Sequence, residues 1–130
     1  MADHSNVETL RRGYAAYGAG DLDTVNELFA DDVVWHVAGR SPLAGDYRGK
    51  EQVFAFFGKL QEMSDGTSKV EVHDLLANDT HGVALVTESG TRGGRSHQGR
   101  ATHVFHITDG KVTEFWDAQT DQYSADEFWS

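Results

Sequence analysis

The sequence predicts an α+β domain: a cone-shaped curved antiparallel sheet with helices packed on one side. Two observations carry the prediction. Segments with helical spacing dominate the first half of the chain, and alternating segments rich in β-formers fill the rest from residue 67 onward. The later segments are separated by Asn78-Asp79, Gly93-Gly94 and Asp109-Gly110. The last two pairs are favoured in hairpins because glycine accepts positive φ without strain. The resulting order, ααβαββββ, gathers the helices against one face of the sheet. A chain of 130 residues with 38% hydrophobic and 11% aromatic content can bury one real core. Residues 1–130 are therefore read as a single domain.

Each element has a local reason. In "SNVETLRRGYAAYGAG", Ser5 and Glu8 stand at capping-box spacing, Val7, Leu10, Tyr14 and Tyr17 recur at helical intervals, and Gly18 and Gly20 end the run. "DLDTVNELFA" is a shorter second helix capped by Asp21, with Val25, Leu28 and Phe29 as its stripe and Asp31-Asp32 as its break. "VVWHV" is a short strand. "AGRSPLAGDYRGK" holds the sole proline and three glycines and reads as a loop. "KEQVFAFFGKLQEM" forms a third helix with Val53, Phe56, Phe57, Leu60 and Met63 on one broad face. The strands "TSKVEVHDLLA", "GVALVTESGT", "SHQGRATHVFHIT" and "KVTEFWDA" then form an antiparallel meander. In "SADEFWS", Ser124 and Glu127 repeat the capping-box spacing at a short C-terminal helix.

Composition narrows the function. The 21 acidic and 11 basic residues leave a formal charge of −10, which argues against a nucleic-acid partner. The absence of cysteine excludes disulfides, thiolate metal sites and a cysteine nucleophile. The polar start "MADHSNVETLRRG" shows no secretory signal, and no run approaches the length of about 18 apolar residues needed for a membrane span. A cytoplasmic, soluble domain is expected. A sheet closed by helices encloses a cone-shaped cavity, and concave, mostly apolar cavities with a few polar groups are where small ligands bind.

The stretches "GYAAYGAGDLDTVNELFADDVVWHVAG", "YRGKEQVFAFF" and "HVFHITDGKVTEFWD" resemble the nuclear transport factor 2-like superfamily. Within it they are most similar to the SnoaL-like and ketosteroid-isomerase-like branch, a resemblance that covers roughly residues 5–129 as the domain core. The resemblance implies a cone-shaped α+β barrel with an internal pocket, commonly in a homodimer. Function is left open, because the superfamily holds isomerases, polyketide cyclases, dehydratases, epoxide hydrolases and non-catalytic binding proteins.

Asp117 is the first candidate for a pocket acid, since resembling proteins often end this strand with a carboxylate. A carboxylate between apolar walls loses hydration, and its pKa rises toward the range useful for a general base. Asp121 is a second candidate, with turn-opening as its structural alternative. His36, beside Trp35 on the first strand, and His103 are candidate donors or proton relays. In the fourth strand His103, Phe105 and Ile107 share a face and are placed toward the cavity. In the last strand Val112, Glu114 and Trp116 alternate with Thr113, Phe115 and Asp117, and the sequence does not decide which set points inward. Tyr14 and Tyr17 offer phenols from the first helix. Trp35, Tyr47, Phe57, Phe105 and Trp116 offer aromatic walls, and Arg40 in the loop before the third helix is placed to hold an anionic group.

Seven histidines occur without helical HxxxH or His-x-His spacing, so no metal is expected. No cofactor is expected either. The leading expectation is a cofactor-independent isomerase or cyclase acting on a small organic ligand. In that scheme Asp117 or Asp121 removes a proton beside a carbonyl, and His36, Tyr14 or His103 stabilises the oxyanion. The alternatives are non-catalytic binding of an apolar molecule, and epoxide hydrolysis with Arg100 pointing inward between acids.

Overall fold

The computed structural model describes residues 4–130, so the first three residues of the polar start lie outside it. The elements are α1 (Ser5–Gly18), α2 (Leu22–Leu28), β1 (Phe29–Val37), β2 (Gly45–Arg48), α3 (Gly49–Met63), β3 (Lys69–Ala77), β4 (His81–Arg92), β5 (Arg95–Thr108), β6 (Lys111–Gln119) and α4 (Gln122–Trp129). Six strands form one curved sheet in the order β2-β1-β6-β5-β4-β3. No helix among the described residues is long and apolar enough to cross a membrane.

The meander forms as the turn chemistry predicts. Gly93 and Gly94 have φ of +56° and +79°, and Asp109 and Gly110 have φ of +52° and +75°. Both are two-residue turns with positive φ at each position, the twist that suits a right-handed hairpin. They pair Arg92 with Arg95 and Thr108 with Lys111.

Four local expectations are corrected. The N-cap of α1 is His4, whose Nδ1 accepts from the Asn6 amide at 3.1 Å, and Glu8 pairs with Arg11 rather than closing a capping box on Ser5. Helix α2 stops at Leu28, and Phe29 already belongs to β1. Asp31 and Asp32 do not break the chain, because they sit where the β1–β6 register shifts. The loop before α3 contains β2, paired to β1 from Val34↔Arg48 to Val37↔Gly45. The cap of α4 is Asp121, which accepts from the Ser124 amide at 3.1 Å and hydroxyl at 2.7 Å, so Ser124 and Glu127 form no capping box. The sheet also carries one parallel pair, β1 with β6, which local patterning does not reveal.

The core lies between the sheet's concave face and the helices. Alternation on β4 sends Gly82, Ala84 and Val86 inward, and on β5 it sends Ala101, His103, Phe105 and Ile107 inward. Trp35 on β1 stacks on its parallel partner Phe115, with ring centroids 3.7 Å apart. Helix α3 brings Val53, Phe56 and Phe57 onto this wall, and α1 packs over β3 and β4.

Gly82 marks the closest approach of α1 to the sheet. A Cβ placed there would sit 2.5 Å from Cδ1 of the buried Leu10 and 3.3 Å from Cδ1 of Ile107. Both neighbours are locked in the core, so Gly82→Ala overpacks it. A loss of about 1–3 kcal/mol in unfolding free energy is expected, measured by urea titration.

Candidate functional site

Between α1, α3 and the sheet lies a cavity of about 160 Å³. Its inner wall is apolar, built from residues such as Leu10, Val25, Leu28, Phe29, Trp35 and Phe57. Ala38 and Ser41 from the loop after β1, with Gln122 and Asp126 from α4, border it at the other end. The polar groups come mainly from adjacent strands. His103 on β5 faces Asp117 on β6 as its backbone partner, and Glu88 extends the inward set of β4 by one more step.

A bulge decides which residues of β6 reach this wall. Between His106/Glu114 and Ile107/Val112 the β5–β6 register shifts, so β6 carries an extra residue at Thr113. Val112 points inward before the bulge, and Phe115, Asp117 and Gln119 line the cavity after it. Glu114 and Trp116 are turned to the outer face. Without the extra residue the alternation from Val112 would have placed Trp116 inside and Asp117 outside.

The polar groups form one chain of hydrogen bonds. The Tyr14 hydroxyl lies 2.5 Å from His103 Nδ1, and His103 Nε2 lies 2.7 Å from a Glu88 carboxylate oxygen. His103 is only 4% exposed, and its Nε2 is 3.8 Å from Asp117 Oδ1. The Gln119 amide donates both to Glu88 and to Asp117, the latter at 3.0 and 3.2 Å. Glu88 is paired across the ladder with Gly99, which puts no side chain beside it and leaves room for the carboxylate to lean toward His103.

This arrangement splits the two acids. Asp117 has a side chain 17% exposed, and loss of hydration, reinforced by the nearby Glu88 charge, pushes its pKa up to about 7. Burial also acts to raise Glu88, yet the hydrogen bond and charge of His103, with donation from Gln119, hold it below its ordinary value. Near neutral pH, Glu88 is the resident anion and Asp117 the group that exchanges a proton. Burial, and then the charges of Glu88 and Asp117, push the Tyr14 phenol well above its ordinary value, so it stays a donor.

Of the residues singled out from sequence, Asp117, His103, Tyr14, Tyr17, Trp35, Phe57 and Phe105 line the cavity. The others do not. His36 lies on the outer face of the sheet, between Asp46 at 2.7 Å and Glu114 at 2.6 Å, with its ring stacked on Trp116. Strand alternation sends Trp35 inward and its neighbour outward. Trp116 is outside for the reason given by the bulge. Tyr47 packs on Phe56 and donates to the Leu43 carbonyl, closing its own loop. Arg40 is exposed and Asp121 is an exposed helix cap, both away from the cavity lining. Arg100 is likewise exposed and outside the lining, so the acid–arginine–acid arrangement needed for epoxide opening is not assembled.

Glu88 and Gln119 are the participants that sequence reading missed. The signal for Glu88 was present, since it continues the Gly82, Ala84, Val86 alternation of β4. Among the described residues, Glu88, His103 and Asp117 are also the set whose metal-ligating atoms converge, all within 4.8 Å of one another. The short contacts of the two carboxylates in this set are made by the His103 imidazole and by the Gln119 amide.

Residues 10–115 match the SnoaL-like domain family. An uncharacterized protein of Mycobacterium tuberculosis (strain ATCC 25618 / H37Rv) is 30% identical over 131 residues, covering all of both chains. Among solved structures, Bal32a from a soil-derived mobile gene cassette is 37% identical, covers 96% of each chain and superposes with a TM-score of 0.93. A protein of unknown function with a cystatin-like fold from Xanthomonas campestris is 27% identical, with a TM-score of 0.90 over 96% of this chain and 98% of its own.

Two stability predictions follow from these charges. The folded state raises Asp117 from 3.8 to about 7, so it holds a proton that the unfolded chain releases, and stability falls as pH rises through that window. Asp117→Asn is therefore expected to raise the unfolding midpoint at about pH 8 and to change it little at about pH 4. His36 behaves differently in origin: burial lowers its pKa, but the hydrogen bonds to Asp46 and Glu114 outweigh that and raise it above 6.5. Its contribution is full below the unfolded value and lost as pH rises through the folded one. His36→Asn should thus destabilise more at about pH 6 than at about pH 9 in chemical denaturation.

Proposed function

The chain belongs to the SnoaL-like domain family of the nuclear transport factor 2-like superfamily, and from that premise we propose that the cavity is the active site of a cofactor-independent isomerase- or cyclase-type enzyme. One observation carries this reading: an open apolar cavity bordered by an acid with a pKa of about 7 and by a phenol that remains protonated. A cavity plugged by side chains would have favoured a structural role.

In this reading the Asp117 carboxylate accepts a proton from the carbon beside a substrate carbonyl. The C–H electron pair forms the enolate C=C bond, and the carbonyl π pair moves to oxygen. Tyr14 donates its O–H to that oxygen. Behind it, His103 Nδ1 lies 2.5 Å from the phenol oxygen and Nε2 2.7 Å from Glu88, so an Nδ1–H donated to that oxygen leaves the phenol hydrogen for the ligand. The protonated Asp117 then returns its proton to a different carbon, giving isomerisation. In a substrate with a second carbonyl, the enolate carbon attacks it instead, the first C=O re-forms, the second carbonyl's π pair moves to its oxygen, and the protonated Asp117 gives its proton to that alkoxide, completing ring closure. Such preorganised donors, aimed where negative charge develops, are the main source of rate in this chemistry. The family of reactions needs no electron carrier, because every step moves protons and electron pairs within the substrate.

The test is deuterium exchange beside the carbonyl of cyclic ketones in D₂O, followed by NMR. Asp117→Asn is expected to lose about 10²–10⁴-fold in exchange rate, as for removal of a positioned base. Tyr14→Phe should lose about 10²–10³-fold, as for an oxyanion donor. For the wild type, the rate should rise with pH through about 7 as Asp117 ionises. Glu88 acts through its neighbours, so Glu88→Gln should move that midpoint downward, because it removes the negative charge that helps to lift Asp117. Full exchange by Asp117→Asn, or a pH profile flat across neutrality, would overturn the assignment.

A further inference from the structure

The cavity also restricts the ligand by size and charge. Its volume of about 160 Å³ is close to the roughly 150 Å³ that accommodates benzene in an engineered apolar cavity. Sites that bury drug-sized ligands run to about 300–1,000 Å³. A four-ring skeleton therefore does not fit within the described walls unless most of it remains outside, away from the apolar surface that would hold it.

The charge pattern is equally restrictive. The ionisable side chains bordering the cavity are the acids Glu88, Asp117 and Asp126, the histidines His97 and His103, and the phenols Tyr14 and Tyr17. No lysine or arginine is among the lining residues. His103 already faces two carboxylates, and the ring of His97 is stacked on Phe128 at 5.2 Å. An anionic ligand would leave water for a space holding carboxylates and no uncommitted cation, a transfer that costs far more than burying a neutral carbonyl. A carbonyl oxygen instead finds the Tyr14 hydroxyl, while the body of the molecule meets the faces and edges of Trp35, Phe57, Phe105 and Phe115.

We infer that the substrate is an uncharged carbonyl compound about one ring in size, and that the cavity discriminates against carboxylates and against fused multi-ring skeletons. This rests on the proposed active site, since it assigns the carbonyl to the Tyr14 and Asp117 end of the same cavity. Arg40, placed from sequence to hold an anion, does not offset the discrimination because it stands outside the lining.

Three probes test this at about pH 8, with binding measured by ligand-observed NMR on the full chain. They are cyclohex-2-enone, 3-oxocyclohexane-1-carboxylate and a four-ring steroid enone. The neutral ring is expected to bind at least about tenfold more tightly than its carboxylate analogue, and the steroid enone should fail to displace it. Equal or tighter binding of the carboxylate, displacement by the steroid, or no binding of cyclohex-2-enone up to its solubility would each overturn the inference. Deuterium exchange on the same probes separates it from the catalytic reading. The expected binding order without any exchange would end the catalytic proposal and leave the ligand class standing. Exchange on the steroid but not on the small ring would do the reverse.

Discussion

The constraint on which this structure turns is the placement of two carboxylates on the inner wall of a greasy cone with no lysine or arginine beside them. Two neighbouring anions away from water repel each other and lose hydration, so the pair settles with one acid charged and the other inclined to keep its proton. The asymmetry comes from His103. It lies 2.7 Å from Glu88 and 3.8 Å from Asp117, and the nearer acid takes the stabilisation. Gln119 donates its amide hydrogens to both. Among the described residues no buried side-chain nitrogen or oxygen is left without a partner, which is what allows so polar a group to persist inside a core.

The rest of the fold serves that cluster. Small residues on the inward faces of β4 and β5, among them Gly82, Ala84, Gly99 and Ala101, let α1 approach the sheet and leave space for long polar side chains. The aromatic set of Trp35, Phe57, Phe105 and Phe115 supplies rigid walls and a low-polarity surround. That surround keeps the carboxyl of Asp117 short of water. On the opposite face of the same strands, His36, Trp116, Glu114 and His106 make a second layer of stacked rings and ion pairs. The bulge in β6 sorts the two layers, sending Asp117 inward and Trp116 outward.

Much of this was legible residue by residue. The stripe of Leu10, Tyr14 and Tyr17 placed both phenols on the cavity side of α1, and the His103–Phe105–Ile107 alternation placed the imidazole inside. Gly93-Gly94 and Asp109-Gly110 defined two hairpins and with them the order of three strands, β4, β5 and β6. Strand β2 was hidden because a four-residue edge strand with two exposed charged residues, Asp46 and Arg48, has no alternating apolar signature. Glu88 was hidden for a different reason: a charged residue at the end of a buried alternation reads as the place where a strand leaves the core.

The sequence by itself determined the order of the helices and of the five longer strands, the helix faces, the two glycine hairpin turns and the family, because these depend on residues close along the chain. Only the tertiary structure decided that Asp117 faces inward, that Trp116, His36 and Asp121 do not line the cavity, and that Glu88, His103, Tyr14 and Gln119 meet as one network. Period-2 alternation states which residues share a face of a strand but not which face is buried, and one extra residue in a ladder reverses the answer. Contacts such as Tyr14 with His103, or His103 with Glu88, depend on strand register, sheet curvature and the seating of α1 together, and no local pattern encodes all three.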